Sequence, residues 1–424
     1  MKDNNKKSTR IFLMILTLVI AFTGGFFTHY ITQPKSVRRL SEVISIINKK
    51  AKDPSGNDLD FNADDITKEF VEAVLVGDDY AEYYTKEEFN SELAEDSGSY
   101  TGVGISLYKK EPRLYTVLGN SPAEKAGLKE NDYILRGKAS GEDYVYFLST
   151  DDVIAFIQAQ EENKEFEFVV YRDGEEKAFN LVKRKYVRSY VYYYDNESSA
   201  RFVSDDDEKP TLTPFENEKN TALPSDTAHI IFTAFEGDAS KQLEEVLSYF
   251  YSKGKTKMIF DLRANGGGNM RILQDVASYF INNNGKQKNL VTEVQGRNNV
   301  LGFYSNGNNF NSQLQNIVVL ANEGTASASE CLIGAMLCYG DANFSMDNLL
   351  IEYNVENKNY STYGKGIMQT TYPLLSGGAL KLTTARIYWP DKTTCIHGTG
   401  IVQTNVANQI TKENAITRAI EILG

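Results

Sequence analysis

Met258-Ile-Phe-Asp-Leu-Arg-Ala-Asn-Gly-Gly-Gly-Asn269 joins an apolar strand to three glycines, and a helical face with Ile272, Leu273, Val276 and Phe280 follows at once. A short apolar run, a glycine-rich loop and then a 3.6-residue apolar period mark a strand–loop–helix unit. The unit recurs on both sides. Upstream, residues 230–235 read as a strand, and Leu243, Val246, Leu247 and Phe250 as a helical face. Downstream, Ile317-Val-Val-Leu-Ala321 reads as a strand. Asn322-Glu-Gly-Thr-Ala-Ser-Ala-Ser-Glu330 then opens a helix carrying Leu332, Ala335, Met336 and Leu337. Repeated units of this kind predict an α/β fold with a mostly parallel sheet and sites at the strand C-terminal ends.

Before this core the pattern changes twice. Residues 98–185 read as about six short strands and two helices, a small β-rich module. Tyr100-Thr-Gly-Val-Gly-Ile-Ser-Leu107 alternates into a strand after a glycine pair. Ser121-Pro-Ala-Glu124 starts a helix that Gly127 closes, a second helix starts near Ser149-Thr150, and Asp173-Gly174 turns a hairpin. Residues 36–93 read as amphipathic helices separated at Pro54-Ser55-Gly56-Asn57. Residues 195–226, with Asp205-Asp-Asp-Glu208 and three prolines, read as an acidic surface insertion or linker.

At the N-terminus Lys2, Lys6, Lys7 and Arg10 precede a chargeless apolar run, residues 11–27, close to the shortest length that spans a bilayer. No small-x-small cleavage site follows in Thr28-His-Tyr-Ile-Thr-Gln-Pro34. A removed signal peptide therefore fits less well than an uncleaved single-pass anchor in the cell membrane. On that reading residues 1–10 are a cytoplasmic basic tail, 11–30 cross the membrane, and the rest is extracytoplasmic.

The chain has 424 residues, 41% of them hydrophobic, enough for two domains with real cores. A net charge of −12 repels phosphate backbones and argues against nucleic acid as a partner. Three cysteines (Cys331, Cys338, Cys395) make neither a disulfide framework nor a metal-binding spacing. Three histidines leave few candidates for imidazole chemistry.

Two strand-end loops carry chemistry. In Asp261–Asn269 the glycines let backbone N–H groups approach a developing anion. A phosphate site or a plain tight turn reads equally well there, although the spacings of nucleotide-binding loops are absent. In Gly324-Thr-Ala-Ser-Ala-Ser-Glu330, small residues crowd a hydroxyl against a helix N-terminus. Ser327 reads either as a nucleophile, with the Ala328 N–H beside the oxyanion, or simply as an N-cap. A serine nucleophile needs a base. Lys365, in Tyr363-Gly-Lys-Gly-Ile-Met-Gln369, is a candidate if burial lowers its pKa, with Gln369 placed to hold its amine; alone it reads as a solvated turn lysine.

Taken in order, these pieces resemble the carboxyl-terminal processing (tail-specific) proteases over residues 36–424. Asp78-Asp-Tyr-Ala-Glu-Tyr-Tyr-Thr-Lys-Glu-Glu88 is similar to the segment that precedes the PDZ domain of that family. Gly102-Val103-Gly104-Ile105 resembles the PDZ carboxylate-binding loop, and Ser121–Leu128 with Asn131-Asp-Tyr-Ile-Leu135 its helix–strand signature. Asp261–Gly268 resembles the glycine loop, Thr325–Glu330 the nucleophile motif, and Tyr363-Gly-Lys-Gly366 the lysine motif. Leu382-Thr-Thr-Ala385 with Tyr388 and Pro390 is similar to the strand that follows. The departures are Thr325 for serine, Gly266 for proline, and a polar insert at 343–360 that separates Ser327 from Lys365; Lys358 and Lys381 are the other lysines nearby.

The resemblance implies an α/β core of the Clp protease/crotonase type (187–424), a β-rich PDZ domain (98–186) and a helical lead-in (36–95). It implies a serine endopeptidase with Ser327 as nucleophile, Lys365 as base and Gln369 in support. Gly267 or Gly268, with Ala328, would form the oxyanion hole, and Gly102, Val103, Gly104 and Ile105 would hold a substrate's C-terminal carboxylate. No metal or organic cofactor is implied. The partners expected are a peptide or protein with a free C-terminus, the membrane and, through the lead-in, a second copy of the chain. The competing readings are a catalytically inactive PDZ scaffold and an acyl-CoA enzyme of the crotonase type.

Overall fold

The computed structural model describes residues 34–50, 63–109, 111–204, 209–281, 288–306, 313–340, 343–355, 358–375 and 377–424. The expected basic tail and membrane anchor, residues 1–30, lie outside them. Among the described residues no helix is long and apolar enough to cross a membrane. The chain divides into two units, Met1–Val76 and Gly77–Gly424. In the first, α1 (Lys35–Lys50) and α2 (Ala63–Val74) are amphipathic helices.

The second unit begins with β1 (Glu82–Tyr84) and α3 (Lys86–Asp96). A β-rich module follows: β2 (Ser99–Gly102), β3 (Ile105–Leu107), β4 (Leu114–Val117), α4 (Pro122–Ala126), β5 (Tyr133–Ala139), β6 (Val145–Tyr146), α5 (Thr150–Ala159), β7 (Glu165–Arg172), β8 (Glu175–Val182) and β9 (Arg184–Val187). It has its own core, built on Leu114, Ile134, Val153, Phe166, Phe168 and Val170. Local signals in the sequence account for its punctuation. Ser121 Oγ accepts the Glu124 N–H at the start of α4, Ser149 and Asp152 cap α5 reciprocally, and Asp173-Gly174 turns β7 into β8.

The main sheet runs β12-β11-β10-β13-β14-β17-β18-β21, comprising β10 (Val191–Tyr194), β11 (Ser199–Val203), β12 (Thr211–Phe215), β13 (Thr227–Phe232), β14 (Lys257–Asp261), β17 (Asn316–Ala321), β18 (Leu349–Glu352) and β21 (Gln409–Ile410). From β13 to β21 every pairing is parallel. Strand residues alternate between two cores, because successive side chains point to opposite faces. Met258, Phe260, Ile317 and Val319 join the large core with α6 (Ala239–Ser252), α7 (Met270–Phe280) and α8 (Ala328–Tyr339). Ile259, Val318 and Leu320 face α9 (Ala415–Leu423). A second, antiparallel sheet holds β1, β15 (Leu290–Gly296), β16 (Val300–Tyr304), β19 (Ile367–Pro373) and β20 (Ala379–Tyr388).

Two boundaries differ from expectation. The lead-in is not wholly helical: β1 pairs with β20, and Tyr83 and Tyr84 are buried. Three residues are too few to show a period of two in a helical context. The acidic segment is not all loop, since β11 and β12 extend the main sheet as an antiparallel meander. Ala200 and Phe202 point inward there while Arg201 stacks on Phe215 and pairs with Glu218. The charged composition of the stretch hides that alternation; residues 205–208 lie outside the described ones.

Candidate active site

The loops after β14 and β17 meet at the C-terminal edge of the parallel strands. Thr325 Oγ1 donates to Leu262 O (2.8 Å), Ala326 N–H and Ser329 Oγ both donate to Asn265 O (3.0 and 2.9 Å), and Ala264 N–H reaches Asn322 Oδ1 (2.9 Å). The third loop joins through Tyr363 N–H to Thr325 O, at 3.0 Å. The three segments that carry chemistry in the sequence are thus one hydrogen-bonded body.

Ser327 stands at φ 56°, ψ −115°, just before α8. Ordinary caps are extended, as Ser121 (φ −77°, ψ 163°) and Ser149 (φ −139°, ψ 166°) are in this same chain. A positive φ on a residue with a Cβ costs about 1–3 kcal/mol and survives only where the surroundings impose it. A serine on a strained strand-to-helix turn is unlike the extended caps elsewhere in the chain, although Ser327 and Glu330 still stand at capping-box spacing.

Glu330 imposes it. This carboxylate is fully buried, and its Oε2 accepts the N–H of Ser327 and the N–H of Lys365, each at 2.9 Å. Its Oε1 accepts Thr362 Oγ1 (2.5 Å) and Gly364 N–H (2.8 Å). Burial pushes its carboxyl upward, and the four donors only partly offset that.

Lys365 is more than half buried. Burial, and then the positive charge of Lys381, lower its amine below the ordinary lysine value. The Tyr80 ring lies 4.8 Å from its Nζ. Of the other lysines, Lys358 is exposed and Lys381 pairs with Glu92 (3.2 Å) and the Tyr84 hydroxyl (2.9 Å). Gln369 lies on β19, where its Nε2 donates to Thr383 Oγ1 at 3.2 Å, Thr383 of β20 being its direct cross-strand neighbour.

The glycine loop divides its labour. Gly267 N–H donates to Asn265 Oδ1 at 3.0 Å, which uses up that donor. A Cβ on Gly267 would lie 2.7 Å from both Ala326 O and Ala328 N and 2.8 Å from Ser327 Cβ, so only glycine lets this loop lie against the serine. Gly268 N–H and, in the first turn of α8, Ala328 N–H have no partner among the described residues. Of the expected oxyanion donors, these two are available and Gly267 is not.

Beneath the loops, Asp261 is gripped by Arg263 (2.6 Å) and His229 (3.0 Å), and Arg263 reaches on to Glu352 (2.6 Å). Burial alone would raise the Asp261 carboxyl. The hydrogen bonds and charges of His229 and Arg263 outweigh it and hold the group well below the usual carboxylate range.

A groove of about 450 Å³ opens in the β-rich module between β3 and α5, lined by Val103, Ile105, Leu107, Leu118, Ile154 and Ile157. Gly104 O accepts Leu118 N–H (2.9 Å), which makes Ile105–Val117 a non-hydrogen-bonded pair and turns Ile105 N–H toward the open edge of β3. Val103 O is likewise tied back, to Ala123 N–H. The loop 102–105 therefore ends an apolar groove, with the Ile105 N–H facing its open edge.

Three residues that hold the site were not singled out from the sequence: Glu330, Asn265 and Tyr80. A signal existed for Glu330, since Ser-x-x-Glu at a helix start is a capping-box spacing. Asn265 and Tyr80 act across loops distant in the chain and left no local signal.

Residues 226–343 and 359–406 match Peptidase family S41, and the gap between the two stretches falls within the polar insert. A "Probable CtpA-like serine protease" of Staphylococcus aureus (strain MRSA252) is 28% identical over 345 residues, 80% of this chain and 60% of the relative. Its counterpart in Staphylococcus haemolyticus (strain JCSC1435) is 27% identical over 326 residues, 76% of this chain and 56% of the relative. The chain thus spans about 60% of the length of these curated relatives. Among solved structures, the "photosystem II D1 C-terminal processing protease" aligns at a TM-score of 0.49 and 20% identity, covering 85% of each chain. The stretches that carry the serine and lysine motif loops thus match Peptidase family S41, and most of the chain is similar in sequence to CtpA-like serine proteases.

Proposed function

We propose that the chain is a membrane-anchored serine endopeptidase acting outside the cytoplasm, with Ser327 as nucleophile, Lys365 as general base and residues 98–186 as a PDZ domain that captures protein C-termini. One observation carries the reading: the single buried carboxylate of Glu330 ties the backbone of a strained serine to that of a lysine whose amine burial depresses. An amine depressed toward its neutral form is what a serine nucleophile at a helix N-terminus needs from its base.

The substrate's tail pairs with the free edge of β3, its carboxylate on the N–H groups of the 102–105 loop. Lys365 Nζ takes the Ser327 Oγ proton as Oγ bonds to the scissile carbonyl carbon. The oxyanion accepts hydrogen bonds from Gly268 and Ala328 N–H. Collapse breaks the C–N bond, and the Lys365 ammonium gives its proton to the leaving amine. Water, deprotonated by Lys365, then releases the acyl group. The membrane anchor rests on the apolar run at 11–27 alone.

The test compares the 424-residue chain in detergent with Ser327→Ala and Lys365→Ala, incubated with casein and followed by fragment mass spectrometry. Cleavage by the parent protein alone supports the dyad. Cleavage that survives in Lys365→Ala rejects the lysine, and cleavage that survives in Ser327→Ala rejects the mechanism.

A further inference from the structure

The active site contains a side chain from outside the peptidase core. Tyr80 belongs to the turn 78–81, before the β-rich module, and its ring faces Lys365 Nζ at 4.8 Å from the centroid. Its hydroxyl lies 3.1 Å from that of Tyr363, two residues before Lys365. The turn is clipped down by Asp78, whose carboxylate accepts Tyr80 N–H (3.2 Å), Thr383 N–H (3.1 Å) and Thr383 Oγ1 (2.8 Å). Thr383 Oγ1 also accepts Gln369 Nε2 (3.2 Å), so one chain of bonds runs from Gln369 to the turn that carries Tyr80.

An aromatic face attracts an ammonium and has nothing comparable to offer a neutral amine. We propose that Tyr80 is a positioning residue for the base: its ring seats Lys365 and favours the ammonium form while no peptide is bound. The inference rests on the reading of Lys365 as the base.

Other groups facing Lys365 pull in both directions. Lys381 of β20, itself paired with Glu92, repels the ammonium. The Glu330 carboxylate of α8 lies close by, accepting the backbone N–H of Lys365 at 2.9 Å. The Tyr363 hydroxyl meets that of Tyr80, and Cys395 and His397 pack on Gly366, next to the lysine in the chain. Burial of the amine opposes the ring, so the sign of the change on removing Tyr80 separates the two influences.

Trace acetic anhydride labelling of Lys365 across pH, read by peptide mass spectrometry without substrate, measures the amine's titration directly. It is applied to the 424-residue chain in detergent as the parent, Tyr80→Phe and Tyr80→Leu. Tyr80→Phe keeps the ring and is expected to titrate as the parent does. Tyr80→Leu is expected to titrate lower by roughly 0.5–1.5 pH units, the range of a cation–π contact between exposed and desolvated limits. The acid limb of kcat/KM should move down with it, raising low-pH cleavage by roughly 3- to 30-fold. An unchanged titration in Tyr80→Leu overturns the proposal, as does an upward one, which would mean the ring acts only by excluding water. A Tyr80→Phe shift equal to that of leucine overturns it in favour of the hydroxyl. Should Tyr80→Leu melt within the assay range, Tyr80→Met carries the same expectation. Loss of the dyad reading appears separately, as cleavage surviving in Lys365→Ala, and leaves the labelling result standing.

Discussion

Ser327 and Lys365 donate their backbone N–H groups to one oxygen, Glu330 Oε2, at 2.9 Å each. The acid lies three residues past the serine, at the third helical position of α8, where a glutamate naturally reaches back to the cap N–H. The same atom also closes the distance to a loop on the second sheet.

Removing that clip should cost activity more than stability. Glu330→Ala leaves four donors around a cavity, and Glu330→Gln sets an amide N–H₂ against donors. Both are expected to lower kcat by roughly 10²-fold or more through misplacement of the dyad, with a stability loss of about 1–3 kcal/mol. Steady-state kinetics and thermal melts on the same samples check this. A full loss of fold in Glu330→Gln, with no folded inactive protein, would contradict it.

The two adjacent glycines should respond oppositely to a methyl group. Gly266 has open space where a Cβ would go, whereas Gly267 would strike Ala326 O and Ala328 N. Gly266→Ala should retain activity within a few-fold, and Gly267→Ala should lose it. Equal tolerance at both positions would show that the glycine loop does not pack on the serine in solution.

Cleavage should rise with pH through the Lys365 titration, because only the neutral amine accepts a proton and burial brings that point below the ordinary lysine value. Lys381→Met removes a like charge, favours the ammonium and should move the acid limb of kcat/KM to higher pH. A limb that stays put or moves down would show that Lys381 is fully neutralised by Glu92.

Arg263→Ala should be among the more destabilising changes in the core. It strips Asp261 and Glu352 of their shared partner, and isolating a buried charge costs about 3–5 kcal/mol. The folded Asp261 carboxyl is held below its unfolded value, so its contribution is complete above the ordinary carboxylate range. It is lost only as pH falls through the depressed folded value. The melting difference from the parent should therefore be level between about pH 6 and 8 and shrink in strong acid.

The groove between β3 and α5 predicts its own lesion. Ile154 lines it and is partly exposed, so Ile154→Arg should spare the fold. It should weaken binding of a fluorescent peptide with an apolar C-terminus at least tenfold, a loss of about 1.4 kcal/mol by fluorescence anisotropy. A peptide amidated at its C-terminus should bind the parent weakly in the same assay.

The strand–loop–helix units, the caps at Ser121 and Ser149, the Asp173-Gly174 turn and the three motif loops were all readable in the sequence. Their causes are local: period, capping and turn chemistry act within a few residues. That same locality limited the reading. The meander of β11 and β12 was obscured because charge dominates its composition while only two residues, Ala200 and Phe202, show its buried face. At Ser327 the residues of the loop alone favour a plain cap, and its positive φ is not legible there, since residue type does not report backbone strain.

Tertiary structure alone decided how the site is assembled. It joined the lysine loop to the serine loop through a buried carboxylate, engaged Gly267 N–H within its own loop and turned Gln369 to Thr383. It also brought Tyr80 from outside the core to face Lys365. Residue order alone settles which groups are present to do chemistry and on which elements they ride. Their protonation and donors depend on burial and on partners far along the chain, and those exist only once the sheets have packed.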